Sequence, residues 1–248
     1  MAEPIKVQFV GTGDAFGSGG RLQACIHVTG PGGNYLLDCG CSSLIGLRRC
    51  NIAVDQIDTV LISHLHGDHF GGIPFLLLDG KYLSHRTRPL TIIGPRGLQK
   101  QVETVLNALY PGTLSGGVGF PLIYLELIAD GVLQHESLEI KAWQMQHGGS
   151  NRALGLQVSS QGKRIAYTGD TEWTGNMVPL AIGADLLICE CFQYDQPIPS
   201  HLDYMTLQAN RSQLDCRQIV LTHAGEAMLQ RQDDLEFPLA YDGYSLEL

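Results

Sequence analysis

Four side chains that can bind a metal ion lie close together in the segment SHLHGDH at positions 63–69. The segment directly follows an apolar run that has the length of a buried strand. Alternate side chains of an extended backbone point to the same side, so His64 and His66 can bind the same ion. The glycine that follows predicts a turn, which brings Asp68 and His69 to a second position. A polar surface loop with scattered histidines is the alternative explanation of this segment.

Three more residues that can bind metal follow later apolar runs of strand length. They are His147 after Ile140–Met145, Asp170 after Ile165–Tyr167, and His223 after Ile219–Leu221. Each residue alone is typical of an ordinary loop. Strand ends converge on one rim of a layered sheet structure, however, so the three can complete a site begun by the earlier segment. Imidazole and carboxylate ligands at this density suit zinc, with manganese or iron as alternatives.

The hydrophobic pattern of the whole chain favours many short strands, each bounded by Gly, Asp, Pro or Asn. It predicts strands at Ile5–Val10, Ala24–Val28, Tyr35–Leu37, Thr59–Ile62, Leu90–Ile93, Leu122–Ile128, Leu154–Val158, Ile165–Tyr167, Asp185–Ile188 and Ile219–Leu221. It predicts helices at Ser42–Arg49, Leu98–Leu109, Asp203–Leu214 and Glu226–Gln232. Because strands outnumber helices, we expect a mixed α/β structure with sheets inside and helices outside. We expect one domain over residues 1–248, since no repeat or linker interrupts the pattern.

The composition of the chain bears on which partners the protein can bind and in which compartment it resides. The 248 residues are 44% hydrophobic and 17% charged, which allows a sizeable core and excludes an extended disordered chain. A net charge of −9 disfavours binding to an extended nucleic acid. No apolar run is long enough to span a membrane, and the first residues lack the basic start of a secretory signal. Seven cysteines, an odd number, indicate reduced thiols, so we expect a cytoplasmic protein.

The segment at 63–69, together with the later His, Asp and His residues, makes the chain resemble the metallo-β-lactamase-fold hydrolases over essentially its whole length. The resemblance implies an α/β (α+β) fold, a four-layer αββα sandwich with a dinuclear site at one edge. It implies two divalent ions, with zinc as the first candidate and manganese or iron as alternatives. One ion would be held by His64, His66 and His147, the other by Asp68, His69 and His223, and Asp170 would bridge both. We also count Asp68 among the catalytic residues. Asp38 matches a family carboxylate that orients a ligand histidine, and a turn aspartate before Gly40 is the alternative.

One further segment favours the phosphodiesterase branch of this superfamily. Glu190 ends an apolar run and His201 precedes a predicted helix, an arrangement similar to that of ribonuclease Z. In that pattern the glutamate orients the histidine, and the histidine protonates the departing alkoxide. A sugar alkoxide is a poor leaving group and gains from such proton delivery. The alternative is that His201 only caps the helix.

The resemblance to ribonuclease Z is incomplete between His147 and Asp170. Those enzymes carry a long protruding arm there, whereas only 22 residues separate the two positions in this chain. We therefore expect a small phosphodiester, such as a cyclic nucleotide or a cyclic sugar phosphate. Three alternatives remain open: a lactonase or other carboxylic-ester hydrolase on the same site, a tRNA 3′-processing endonuclease, and a non-enzymatic ligand sensor.

Arginines and cysteines supply the last candidate residues. Arg21, Arg86 and Arg88 could hold a substrate phosphate through forked hydrogen bonds, although a solvated surface position is the favoured explanation for at least two of them. Two cysteine pairs could bind a structural zinc ion if the fold brought them together: Cys39 with Cys41, and Cys189 with Cys191. Their i, i+2 spacing favours core packing instead. Because related enzymes often pair, the resemblance also implies a homodimer.

Overall fold

The computed structural model describes residues 4–113, 115–148 and 152–248. The strands in these residues are β1 Lys6–Gly11, β2 Cys25–Gly30, β3 Gly33–Leu37, β4 Thr59–Leu61, β5 Leu90–Pro95, β6 Leu122–Leu127, β7 Val132–His135, β8 Leu138–Gln144, β9 Leu154–Ser160, β10 Lys163–Tyr167, β11 Leu186–Glu190, β12 Ile219–Thr222 and β13 Ser245–Glu247. The α-helices are α1 Ser43–Arg49, α2 Gly67–Phe70, α3 Ile73–Tyr82, α4 Leu98–Leu109, α5 Met177–Ala181, α6 Tyr204–Asn210 and α7 Glu226–Leu229.

The strands form two sheets. The first has the order β13-β1-β2-β3-β4-β5-β6, and the second has the order β12-β11-β10-β9-β8-β7. Strands β3 to β6 pair in parallel, as do β10, β11 and β12, whereas the remaining pairs are antiparallel. Parallel strands need crossover connections, and helices such as α3 and α4 supply them in the first sheet.

Three apolar clusters hold the layers together. The cluster between the sheets joins side chains such as Phe9 of β1 to Ile140 of β8 and Ile188 of β11. The outer faces of the first and second sheets pack against α1, α3 and α4 and against α5, α6 and α7, respectively. Both sheets are therefore covered on both faces, which is why their central strands are nearly continuous in apolar residues. The predicted four-layer αββα sandwich is confirmed.

The parallel course of several strands determines where the polar strand-end residues lie. Strands β3 and β4 run in the same direction in the first sheet, and β8, β10, β11 and β12 share one direction in the second. Their carboxyl ends therefore meet at one rim of the sandwich. The residues that leave these ends include Asp38, His64, His147, Asp170 and His223.

All ten predicted strands and all four predicted helices are present, with end points that differ by a few residues. The largest difference is at α6, which ends at Asn210 and continues as a short 3₁₀ turn. The pattern missed β7, β13, α2, α3 and α5, and it indicated β8 only through the apolar run Ile140–Met145. The glycine at position 67, expected to form a turn, begins α2 instead, in which the amide of Phe70 donates to the carbonyl of His66.

Candidate metal centre

Three histidine rings form the first half of the candidate site. His64, His66 and His147 each offer a ring nitrogen, and these nitrogens lie within 4.8 Å of one another. The three ring centroids are 4.7 Å apart in every pair. Nε2 of His147 lies 2.9 Å from Nδ1 of His66. This triangle is the arrangement expected of three imidazoles that converge on one ion.

The second half of the candidate site combines two carboxylates with two histidines. Asp68, His69, Asp170 and His223 offer ligand atoms within 4.8 Å of one another. Nε2 of His69 lies 3.3 Å from Oδ2 of Asp68 and 3.2 Å from Oδ1 of Asp170. Nε2 of His223 lies 3.4 Å from Oδ2 of Asp170. All four residues are buried, so these groups face one another rather than water.

Asp170 lies between the two halves of the site. Its Oδ2 atom is 3.8 Å from Nε2 of His64 and 3.7 Å from Nε2 of His147. The same oxygen and its partner Oδ1 also face His223 and His69 of the other half. The structure thus brings together all seven residues of the predicted ligand set, with the predicted bridging residue in the centre.

Asp38 orients ligands of both halves without joining either group. Its carboxylate is fully buried and accepts hydrogen bonds from Nδ1 of His69, from the hydroxyl of Tyr167, and from the backbone and hydroxyl of Ser63, all at 2.7 Å. Because the Ser63 hydroxyl donates to Asp38, it accepts from Nδ1 of His64 at 3.1 Å. Both histidines therefore carry their proton on Nδ1 and turn Nε2 toward the site.

His147 is oriented by a backbone carbonyl that lies 53 residues away in sequence. Its Nδ1 atom donates to the carbonyl of Ser200 at 2.7 Å. Ser200 is in turn fixed by its own amide, which donates to Oε1 of Glu172 at 2.7 Å, and by its hydroxyl, which accepts from the amide of Gly148. The sequence indicated no role for Ser63, although it lies inside the segment at 63–69. Tyr167, Ser200 and Glu172 were also missed, because no motif spacing connects them to their partners.

The residues of the site fit divalent cations. Burial lowers the pKa of His64, His147 and His223, which favours the neutral imidazole that binds metal. Three buried atoms that face the centre have no hydrogen-bond partner among the described residues: Nε2 of His64, Nε2 of His69 and Oδ1 of Asp170. Buried polar atoms are rarely left unsatisfied, and a cation that accepts their lone pairs would satisfy all three.

His201 and Glu190 form a pair beside these ligands. Nδ1 of His201 lies 3.1 Å from Oε1 of Glu190 and 4.0 Å from Oδ2 of Asp170. Burial raises the pKa of Glu190 to about 7. Burial lowers the pKa of His201, but the hydrogen bond to Glu190 and its charge outweigh that effect and raise it to about 9. Asp203, rather than His201, caps α6 by accepting from the amide of Thr206.

Of the arginines that were candidates for binding a substrate phosphate, one lies near the metal centre and two lie away from it. Arg86 and Arg88 do not reach the metal centre, which corrects the expectation that they hold the substrate phosphate. The Arg86 guanidinium donates to the carbonyls of Ile57 and Pro89, which precede β4 and β5 and thus lie at the opposite rim. Arg21 lies near the site, because it donates to the hydroxyl of Thr12, whose carbonyl accepts from the amide of His223.

The cysteine pairs do not meet. Cys39 belongs to the cluster on the outer face of the first sheet, whereas Cys189 and Cys191 belong to the cluster on the outer face of the second. Among residues 4–113, 115–148 and 152–248, the groups that could hold a metal ion contain no cysteine. Core packing explains Cys39, Cys189 and Cys191, which are buried, whereas Cys41 is exposed.

Comparison with solved structures defines the class of protein. The chain is similar to the metallo-β-lactamase fold protein YhfI from Bacillus subtilis, with a TM-score of 0.78 and 20% identity over 99% of this chain and 100% of that one. It is also similar to the short form of human tRNase Z, with a TM-score of 0.78 and 27% identity over 97% of this chain and 98% of that one. The chain is therefore a metallo-β-lactamase-fold protein of the ribonuclease Z type.

Sequence comparison then gives the particular family. The model of the anti-Pycsar protein Apyc1 family matches residues 5–238, and the chain belongs to this family. The chain is also 32% identical to a ribonuclease Z of Staphylococcus carnosus strain TM300 over 147 residues, which are 58% of this chain and 46% of that protein. It thus spans about half the length, or less, of the first curated ribonucleases that it matches. No helix of the described residues has the length and apolar character needed to cross a membrane.

Proposed function

We propose that this protein is a metal-dependent phosphodiesterase that hydrolyses a small phosphodiester, such as a cyclic nucleotide or a cyclic sugar phosphate. The observation that carries the proposal is the Glu190–His201 pair, whose imidazole lies 4.0 Å from the central carboxylate of Asp170. A hydrolase of activated esters, whose leaving groups depart without a proton, has little need for such a pair. A phosphodiesterase with a sugar alkoxide as leaving group needs a proton donor at this position.

The metal cofactor of the proposed enzyme is a pair of divalent ions, with zinc as the first candidate and manganese or iron as alternatives. His64, His66 and His147 would hold one ion, and Asp68, His69 and His223 the other, with Asp170 shared. When bound, two such ions supply a nucleophile from water near neutral pH and neutralise charge on the phosphate. The mixture of imidazole and carboxylate ligands, without thiolates, suits these metals.

His201 is the general acid of the proposed reaction and Glu190 is its positioning residue. Glu190 is fully buried and also accepts from the amides of Thr171 and Leu202, so its carboxylate cannot rotate away from His201. The ring of Phe192 stacks on His201, with centroids 4.9 Å apart. These contacts leave the Nε2 proton of His201 to be delivered to the departing oxygen, after which the imidazole recovers a proton from solvent.

A small substrate is supported by the segment between His147 and Asp170. Residues 152–170 contain only β9, β10 and the short turns beside them, so no arm extends from the described part of this segment. The net charge of −9 further opposes an extended contact with a transfer RNA. The proposed enzyme therefore acts on a molecule that fits at the rim of the sandwich.

The substitution His201→Ala tests the proposal. We expect the variant to retain its metal and to lose about 10²–10⁴-fold in rate on a 3′,5′-cyclic nucleotide, whose leaving group is an alkoxide. The loss on bis(p-nitrophenyl) phosphate should be much smaller, because nitrophenolate departs without a proton. Equal losses on both substrates would remove His201 from the role of general acid.

Parallel assays separate the phosphodiesterase from the remaining candidates. The wild-type protein should hydrolyse phosphodiesters faster than acyl-lactones when both are supplied with the same metal. Faster lactone turnover would make the protein a carboxylic-ester hydrolase. Binding of metal with no turnover of either class would indicate a ligand sensor.

A further inference from the structure

A cavity of about 860 Å³ opens beside the first half of the metal centre. Two ligand histidines, His64 and His66, line one end, and Arg96 and Arg152 line another part of its wall. Its volume lies within the range of about 300–1,000 Å³ that is common for small-molecule sites. None of the residues that line this cavity belongs to the second half of the metal centre or to the Glu190–His201 pair. The cavity therefore extends from one side of the metal centre only.

The wall of this cavity is cationic and aliphatic. Its lining residues include two arginines and no carboxylate, and the remaining wall is formed largely by aliphatic side chains such as Leu127 and Ile128. Nη1 of Arg152 lies 3.6 Å from the place where a Cβ atom on Gly97 would stand, so this guanidinium adjoins the residue after Arg96. The carboxylate of Glu126 accepts a hydrogen bond from the amide of Gly97 at 2.8 Å.

Arg96 and Arg152 are both exposed to solvent, so their guanidinium groups are accessible to a ligand that enters the cavity. Neither Arg96 nor Arg152 lies within 4.0 Å of a carboxylate in the described residues, which distinguishes them from Arg48, Arg88 and Arg231. A phosphate placed between the metal centre and the two arginines would accept hydrogen bonds from their forked guanidinium donors.

We propose that the cavity bordered by Arg96 and Arg152 is a subsite for a second phosphate on the substrate, separate from the phosphodiester that is cleaved. This inference rests on the proposed function and deepens it by naming a substrate that carries two phosphates. The aliphatic wall at Leu127 and Ile128 would contact the carbon skeleton between them. Apart from the two ligand histidines, the described residues that line the cavity include no aromatic side chain, so it offers no Phe, Tyr or Trp ring for stacking of a nucleobase.

Binding of two matched ligands to the metal-loaded protein tests the subsite. Adenosine 3′-monophosphate and adenosine 3′,5′-bisphosphate differ by one phosphate, and their affinities can be measured by calorimetry. We expect the bisphosphate to bind about tenfold more tightly or better, as one charge-assisted contact allows. In the double variant Arg96→Gln/Arg152→Gln, this preference should disappear, whereas the affinity for the monophosphate should stay nearly unchanged.

A control variant and separate measurements make the result decisive. Arg217→Gln removes the same charge at the opposite rim, where Arg217 precedes β12 and pairs with Asp185, and should keep the preference. Equal affinities of the wild-type protein for the two ligands would overturn the subsite, as would a double variant that weakens both ligands equally. Turnover of bis(p-nitrophenyl) phosphate, measured separately, tests the proposed function. Its absence would remove that function and leave the binding result to stand independently.

Discussion

At the scale of single residues, the buried carboxylate of Asp38 has the widest influence on the candidate site. Its four hydrogen bonds reach His69 directly and His64 through the hydroxyl of Ser63. Asp38 also has a positive φ of 59°, a conformation that asparagine and aspartate adopt more readily than most residues. Asparagine can therefore adopt this backbone conformation, so the substitution Asp38→Asn removes the charge without disturbing the backbone.

We predict that Asp38→Asn weakens metal binding about 10–100-fold, the usual effect of losing a residue that orients a metal ligand. It should also destabilise the fold by about 1–3 kcal/mol, because the amide cannot accept all four hydrogen bonds in a buried place. Competition with a chelator and thermal unfolding measure the two effects. Asp130→Asn is a matched control, since Asp130 has a φ of 60° and is exposed. Unchanged metal affinity in Asp38→Asn would contradict the orienting role.

At the scale of elements, Ser200 joins two loops of the site: the loop that carries His147 and the loop that carries His201. This residue has a positive φ of 75°, accepts from His147 through its carbonyl, and directly precedes His201. Glu172 accepts from the amide of Ser200 at 2.7 Å and from the side chain of Gln146 at 3.1 Å. Glu172 thus connects the loop of a candidate metal ligand to the loop of the proposed general acid.

We predict that Glu172→Ala lowers the rate on a 3′,5′-cyclic nucleotide about 10–100-fold, because small displacements of a catalytic group have effects of that size. The rate on bis(p-nitrophenyl) phosphate at saturating metal should fall less. Glu172→Gln, which keeps one acceptor for Ser200, should restore most of the lost rate. The variant Ser200→Gly tolerates the positive φ and keeps the carbonyl that accepts from His147, but it loses the hydroxyl that accepts from Gly148, so it should lose less rate than Glu172→Ala. Equal losses on both substrates would show that Glu172 has only a structural role.

Some helices and strands could be predicted from the sequence, and others could not. Strands such as β5 and β11 were predictable, because a short apolar run between turn residues is too short for a helix and is typical of a buried strand. Helix α3 was missed because Ile73–Leu78 is apolar without a break and has no helical period. Strand β8 alternates, with Leu138, Ile140 and Ala142 buried, and the apolar run Ile140–Met145 indicated most of it. The contact of Ser200 with His147 left no trace in the sequence, since a backbone carbonyl can belong to any residue.

At the scale of the whole molecule, the candidate site connects the two sheets. His64, His66, Asp68 and His69 follow β4 of the first sheet, whereas His147, Asp170 and His223 follow strands of the second. The ligand pattern was predictable because its residue types and their places at strand ends are visible in the sequence. The pocket beside it was not, because Arg96 and Arg152 lie 56 positions apart and belong to no motif. Ions bound at this place would hold the two sheets together at the rim.

We therefore predict that metal removal lowers the thermal stability of the whole fold. Saturation at 100 times the Kd stabilises a protein by about 2.7 kcal/mol per site, and each kcal/mol shifts the Tm of a chain of this size by about 2–4 °C. Dialysis against a chelator should thus lower the Tm by about 5–10 °C for each ion lost, and added zinc should restore it. Asp170→Asn, of nearly the same size, should reduce the zinc-dependent shift, because this residue faces both halves of the site. An identical Tm with and without chelator in the zinc-supplied wild type would contradict a metal centre that connects the sheets.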